Sequence, residues 1–439
     1  MGHEEARGDG GDADNPEGLL YTPHCATPTV TSYRHAMNDR ASTVACTTAA
    51  HGLRPPPAPL GPNLRAEWLL DPDVIFLNHG CFGACPRKVL EVQSRLREEL
   101  ERQPLLFLDR ERKERIDSAL AAVGQFVGAR GEDMGFVTNA TEGVHAVARS
   151  LRFENGDEIV TTSHRYDAIG NTLRHVAERA GARYLEVPIG LPFEPGALVE
   201  SIERVMSPRT RLVVVDHIVS ISSLVLPVKE IIDLCNARGI ETLIDGAHAP
   251  GMVDLDIEAL GATYYTGNLH KWVCAPKGAG FLWVRPDRKD VIHPAIISNY
   301  HGQGFNAEFD WQGTRDITPW LSAPAAIDFF EQLGWDAVRA HNHALATWAQ
   351  AMLCAAWNVA PISAADGSLI GSMATIPLPL QAGEYADKFA LMRAIYDGYR
   401  IEVPVVEVNG RRMSRVSCHV YNRPEEYERL GDAVRALLM

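Results

Sequence analysis

Three segments of this sequence end an apolar, β-branched run on polar residues able to do chemistry. ETLIDGAH closes on Asp245 and His248, TYYTGNLHKW on Asn268, His270 and Lys271, and GFVTNATEGVHAV passes through Asn139, Ala140 and Thr141 into a helical pattern. Ligands of an open α/β sheet lie at the carboxyl ends of its strands, so these residues are predicted to face one site. A lysine amine can form an imine with an aldehyde cofactor. A carboxylate 26 positions before it can keep a pyridine nitrogen protonated, so that the ring withdraws electrons from a substrate carbon. Those are the requirements of pyridoxal 5′-phosphate (PLP) chemistry. The helix start after Asn139 offers N–H groups and a positive dipole end to a phosphate dianion. Singly, the lysine reads as a surface residue, the aspartate as a strand end and the threonine as a cap. Their shared placement at strand ends carries the reading.

The elements that must position these residues follow from periodicity. VIFLN near Val74 reads as a short strand, and Pro86 to Val127 as helical segments broken near Pro104. After Asp133, the strands GFVT, EIVTT, RYLEVP, RLVVVD, ETLID, TYYTG and GFLWV alternate with amphipathic stretches such as VHAVARSL, AIGNTLRHVAERAG and VKEIIDLCNARG. That alternation predicts an α/β fold, a mostly parallel seven-stranded sheet covered on both faces. From Thr318 onward a long helical stretch precedes MATIPL, IEVPVV, MSRVSC and a final helix, which predicts a smaller α+β domain. The expected organisation is a flexible extension over 1–62, a segment over 63–110 packing on the small domain, a large domain over 111–317 and a small one over 318–439. The extension is rich in Gly, Asp, Pro and Thr, lacks a period, and contains Met37 as an internal candidate start. An intact mass ending at Met1 or Gly2 would refute that start.

Composition excludes several classes. With 439 residues, 46% hydrophobic and 22% charged, the chain suits two globular domains, and a formal charge of −14 disfavours nucleic acid as a partner. No apolar run reaches about 18 residues, so no membrane span is expected. The acidic start lacks a secretory pattern and, with Ala6 at the sixth position, a myristoylation pattern. A cytoplasmic location is the default. Eight cysteines in a chain of this length predict a reducing compartment rather than a disulfide framework. Without HExxH or paired CxxC, no metal is proposed from spacing. No GxGxxG lies between a strand and a helix, which argues against a dinucleotide.

The motifs FLNHGCFGACP (76–86), FVTNATEGV (136–144), TTSHRYDA (161–168), LVVVDHIVS (212–220), LIDGAHAPG (243–251), YTGNLHKWVCAPKGAGFLWV (265–284), WQGTRD (311–316) and MSRVSCHVYN (413–422) occur in that order. In this the chain resembles the class V aminotransferase-like, fold-type I PLP-dependent enzymes, in the branch of isopenicillin N epimerase-like proteins and C–S lyases. The resemblance implies that Lys271 carries the cofactor as a Schiff base, that Asp245 holds the pyridine nitrogen and that His248 lies beside the ring. It places Ala140, Thr141, Asn268 and His270 at the phosphate, His164 (or failing it Tyr166) on the ring face, and Ser220 at the phenolic oxygen. Arg415 would grip the substrate α-carboxylate, with Asn78 and His79 also lining the substrate side. Gly313-Thr314 would reach the phosphate of a neighbouring subunit, so a homodimer with shared sites is expected. Two departures fall on the substrate side: Cys81 stands where the family has Ser, and Ser220-Ile221 where it has Ser-Pro.

All candidate reactions begin with Lys271 as the base at an amino-acid α-carbon. Epimerisation needs a second proton donor, for which Tyr166, His79 or water would serve. β-Elimination needs a leaving group and a nearby acid, and transamination comes third. The desulfurase members use a mobile Cys about fifteen positions before the arginine; YRIEVPVVEVNGRRM contains none, which argues against persulfide formation. Cys274 and Cys418 read as buried structural thiols. Arg315 reads equally as a second substrate contact and as a dimer brace. A regulator without turnover is disfavoured, because residues 1–62 carry no helix-turn-helix pattern.

Overall fold

β-Branched runs make the strands. In chain order they are β1 Ile75–Phe76, β2 Met134–Val137, β3 Glu158–Thr162, β4 Arg183–Val187, β5 Thr210–Asp216, β6 Glu241–Gly246, β7 Tyr264–Asn268, β8 Gly280–Val284, β9 Met373–Pro377, β10 Ile401–Glu402, β11 Val405–Val408 and β12 Arg411–Ser417. The computed structural model describes residues 55–61 and 64–439, which lie in one compact unit. Most of the expected extension, with Met37, lies outside the described residues.

Seven strands form one sheet in the order β2-β8-β7-β6-β5-β3-β4, parallel except for β8, which runs antiparallel to both neighbours. The architecture is mixed α/β around a large, mostly parallel sheet, as the sequence predicts. Helices Ala140–Ser150, Asp167–Ala180, Pro195–Val205 and Val228–Asn236 make the crossovers. They bury β5 and β6 on both faces, which is why those strands are continuously apolar. Parallel strands joined by helical crossovers bring the ends of β2, β3, β5, β6 and β7 to one edge, and the polar residues just beyond them meet there. Gly143 permits the closest of these approaches: a Cβ there would come 2.1 Å from Thr266 Oγ1, so only glycine lets helix Ala140–Ser150 lie against β7.

Helices Arg87–Arg102 and Arg112–Val127 flank a short π turn at Leu106–Arg110, the break expected near Pro104. The long helical stretch after Thr318 is two main helices, Ala323–Glu331 and Trp335–Trp357, interrupted at Gly334 with φ +81. Packing changes later than residue 318. Trp320, Phe330 and Trp335 join the core under the large sheet, and a second core begins around Leu345, against β9, β12 and helix Pro424–Leu438. Segment 63–110 serves both cores: Trp68, Val89 and Phe107 enter the first, Ile75 and Leu77 the second. In the antiparallel sheet β11-β12-β9, Val416 enters the second core, so the neighbouring Arg415 faces the other way, toward the large sheet. No helix of the described residues is long and apolar enough to cross a membrane.

Candidate active site

Asp245 ends β6 3% exposed, its Oδ1 accepting the Ala247 N–H at 3.0 Å. Lys271 follows β7 by three residues and places Nζ 3.1 Å from His248 Nε2. His248 Nδ1 accepts the Trp272 indole N–H at 3.2 Å. A neutral imidazole whose Nδ1 accepts carries its hydrogen on Nε2, so His248 donates to Lys271 and the lysine must offer a lone pair. Burial drives the His248 pKa well below the ordinary value, which keeps the ring neutral. Burial first, and then the charge of Arg415, lowers Lys271 to about 8. The tautomer calls for a free amine, the nucleophilic form, and a pKa lowered to about 8 leaves about a tenth of the lysine in that form at pH 7.

Asp245 does not stand alone. Its in-register partner on β5 is Asp216, 4% exposed, whose Oδ2 has no hydrogen-bond partner. Burial and the neighbouring Asp245 charge push Asp216 well up, and burial raises Asp245 as well. Two buried carboxylates side by side cannot both ionise at little cost unless a cation joins them. A protonated pyridine nitrogen supplies one, and this unmet demand is the observation that fits the site to PLP.

The phosphate end is more selective than the sequence suggests. Asn139 caps helix Ala140–Ser150 by accepting the Glu142 N–H at 3.0 Å, and Asn268 Oδ1 takes the Ala140 N–H at 2.8 Å. Of the first three amides only Thr141 N is left for a ligand, so Ala140 contributes position rather than the expected contact. His270 Nδ1 donates to Ala279 O at 2.9 Å, and burial lowers its pKa to about 4, so the ring is neutral with a lone pair on Nε2. Thr314 is exposed and outside this set of contacts.

Distant segments close the other side. The Arg415 guanidinium is 3% exposed. Its Nη1 donates to Ser220 O at 2.7 Å and Ser220 Oγ at 3.1 Å, and its Nη2 to Cys81 Sγ at 2.9 Å and Asn78 Oδ1 at 3.5 Å. Its Nε is buried without a partner. Ser220, expected at the phenolic oxygen, is therefore bonded to Arg415. His164 is buried after β3, its Nδ1 3.2 Å from Ser222 Oγ and its Nε2 3.2 Å from Asn409 Oδ1, so the hairpin turn between β11 and β12 fixes its ring plane. Tyr166, just before helix Asp167–Ala180, is 48% exposed.

His79 is placed differently from the substrate contact expected of it. Fully buried, it donates Nε2–H to Lys271 O at 3.0 Å and accepts the Tyr421 hydroxyl at Nδ1 at 2.8 Å. Burial drives its pKa to about 3. It braces the lysine backbone from below, and an imidazole without access to a substrate cannot serve as the second proton donor considered for it. Asp216 and Trp272 were not singled out from the sequence. Asp216 was legible, because it ends RLVVVD as Asp245 ends ETLID.

The family description Aminotransferase class-V matches residues 103–430. Isopenicillin N epimerase of Amycolatopsis lactamdurans is 34% identical over 394 residues, covering 85% of this chain and 98% of that protein. The probable chloroplastic L-cysteine desulfhydrase of Arabidopsis thaliana is 31% identical over 406 residues, covering 84% of each. Among solved structures, a C-DES mutant with glycine covalently linked to its PLP cofactor superposes with a TM-score of 0.71 at 20% identity, over 84% of this chain and 98% of that one. That last likeness concerns the fold.

Proposed function

Because the chain belongs to the class V aminotransferase family, we propose that this PLP-dependent enzyme is an epimerase acting at the α-carbon of an amino acid. The observation that carries the reading is Lys271, its Nζ 3.1 Å from His248 Nε2 and its pKa lowered to about 8, so that the free amine is within reach near neutral pH. Bound PLP would supply an electron sink for the negative charge left at the α-carbon. Asp245, supported by Asp216, would hold its ring nitrogen protonated, and Thr141, His270 and Asn268 would bind or frame its phosphate. Arg415 turns its guanidinium to the substrate carboxylate, whose position fixes which face of the α-carbon meets Lys271. Lys271 takes the α-proton as an amine and keeps it beside the carbon as an ammonium. Inversion requires delivery of a proton from the face opposite Lys271, and the half-exposed Tyr166 is the candidate donor.

The 31% identical desulfhydrase relative favours a second reading, β-elimination from cysteine or a cysteine conjugate. Lys271 would remove the same proton, and the sulfur would leave toward Cys81 and Arg415. The proposal includes a homodimer in which the exposed Thr314 reaches the phosphate of a second subunit. It also includes a cytosolic location, supported by the six free cysteines among the described residues.

The deciding experiment incubates the PLP-loaded enzyme in heavy water with isopenicillin N, L-cysteine and a panel of L- and D-amino acids. Chiral composition, α-deuterium, sulfide and pyruvate are followed. Inverted, deuterated amino acid without sulfide or pyruvate supports the epimerase; stoichiometric sulfide and pyruvate from cysteine replace it with the lyase. No exchange at any α-carbon would sink both.

A further inference from the structure

Away from the cleft, the segment between β8 and Gly313 folds three metal-ligating side chains onto one point. His293 follows the 3-10 turn Pro286–Val291, His301 lies in the turn between Ser298 and Gln303, and Glu308 sits on helix Phe305–Asp310. His293 Nδ1 is 2.8 Å and His301 Nδ1 is 3.4 Å from the same oxygen, Glu308 Oε2. The three ligand atoms lie within 4.8 Å of one another. We propose that His293, His301 and Glu308 form a zinc site.

Two imidazoles and one carboxylate, with water as a fourth ligand, are a donor set that zinc accepts. At bond lengths of about 2.0–2.1 Å, neighbouring donors in a tetrahedron stand about 3.3 Å apart, close to the 2.8 and 3.4 Å at which the two imidazoles approach Glu308 Oε2. The surroundings are built as a metal site requires. Glu308 is 5% exposed, and its other oxygen, Oε1, accepts the Gly302 N–H at 3.0 Å, which orients the carboxylate. The backbone of His293 is pinned by its N–H to Ser150 Oγ at 2.9 Å. Both imidazoles turn Nδ1 toward the carboxylate.

A second cluster, His79, Cys274 and His419, is richer in ligands yet does not make a site. Both nitrogens of His79 are committed, to Tyr421 and to Lys271 O, and the two imidazoles stack at 25°, so their lone pairs do not converge. That cluster packs the floor under Lys271.

Zinc at His293, His301 and Glu308 would tie three points of the segment that leads to Gly313-Thr314. The inference does not depend on the reaction assigned above. Its test uses the full-length, cofactor-loaded protein, freed of metal with a chelator and dialysed. Calorimetric titration with zinc chloride is expected to show one ion bound tighter than about 10 µM, with a rise in Tm. His301→Ala should weaken binding at least about tenfold and abolish the Tm rise, and Glu308→Gln should weaken it about 100-fold. Absence of binding up to about 100 µM, or binding that survives His301→Ala unchanged, overturns the proposal. The His301 side chain is 54% exposed, so this variant remains decisive even if Glu308→Gln misfolds.

Discussion

The two halves of the active site are built on different principles. The cofactor half stands on adjacent strand ends of one sheet, β5, β6 and β7, and its groups hold one another: Trp272 fixes His248, His248 meets Lys271, and Asp216 lies in register with Asp245. The substrate half is assembled from segments hundreds of residues apart. Arg415 of β12 reaches Ser220 beyond β5 and Cys81 in the short helix His79–Phe82, and it retains an unpartnered Nε. Both departures from the family pattern, Cys81 and Ser220-Ile221, fall in that second half. Strand-end geometry fixes which cofactor chemistry is available, whereas packing between remote segments selects the molecule on which it acts.

Removing the centre of the cofactor half should produce the largest effect. Lys271→Ala deletes the amine that binds the cofactor covalently and takes the proton, so turnover should fall on the order of a thousandfold or more. The borohydride-trapped adduct at that position should vanish with it. Retention of both the adduct and activity would break the assignment. Arg415 should still be folded into the substrate half, so the variant is expected to keep its Tm within a few degrees.

The next effect comes from pH. A lysine lowered to about 8 is half free at that pH and about one-hundredth free two units below it. Covalent capture of added PLP by the apoenzyme should therefore accelerate roughly 50-fold from pH 6 to pH 8 and level off above. The sign follows from the amine being reactive only when unprotonated. A rate still climbing toward pH 10 would show that His248 and Arg415 do not tune the lysine as described.

The substrate half is probed by Arg415→Lys. An ammonium cannot reproduce the forked contacts to Ser220, Cys81 and Asn78. Loss of one charge-assisted hydrogen bond corresponds to about 10- to 100-fold, expected in KM with kcat less affected, while the visible band of the bound cofactor stays in place. A changed band with an unchanged KM would mean that the two halves are not separable.

How much of this was legible follows the same division. The strands and the Asp245–Lys271 pair were readable because local period and strand-end polarity are properties of contiguous sequence. Arg415 was readable only through family resemblance, since nothing within β12 distinguishes a buried guanidinium from a surface one. The engagement of the Ala140 amide by Asn268, the Ser220–Arg415 bond and the burial of His79 under Lys271 depend on which segments pack together, and no local pattern encodes that. Asp216 is different: the strand-end rule applied to it as well, and its partnership with Asp245 needed only the parallel register of β5 and β6.

The smallest expected effect is also the sharpest test of the comparison. Cys81 is the one non-buried cysteine among the described residues, and its sulfur accepts from Arg415 at 2.9 Å. In Cys81→Ser the hydroxyl is a better acceptor but sits on a shorter bond, so Arg415 should keep its orientation and lose about 1 kcal/mol at most. That corresponds to no more than about a fivefold change in KM. The cofactor band, its pH dependence and the rate of α-proton exchange at saturating substrate should match the parent. If exchange instead collapses while KM holds, the thiol is moving a proton. Cys81 would then belong with Lys271 in the chemistry, and the division between the two halves would have to be redrawn through the short helix that carries it.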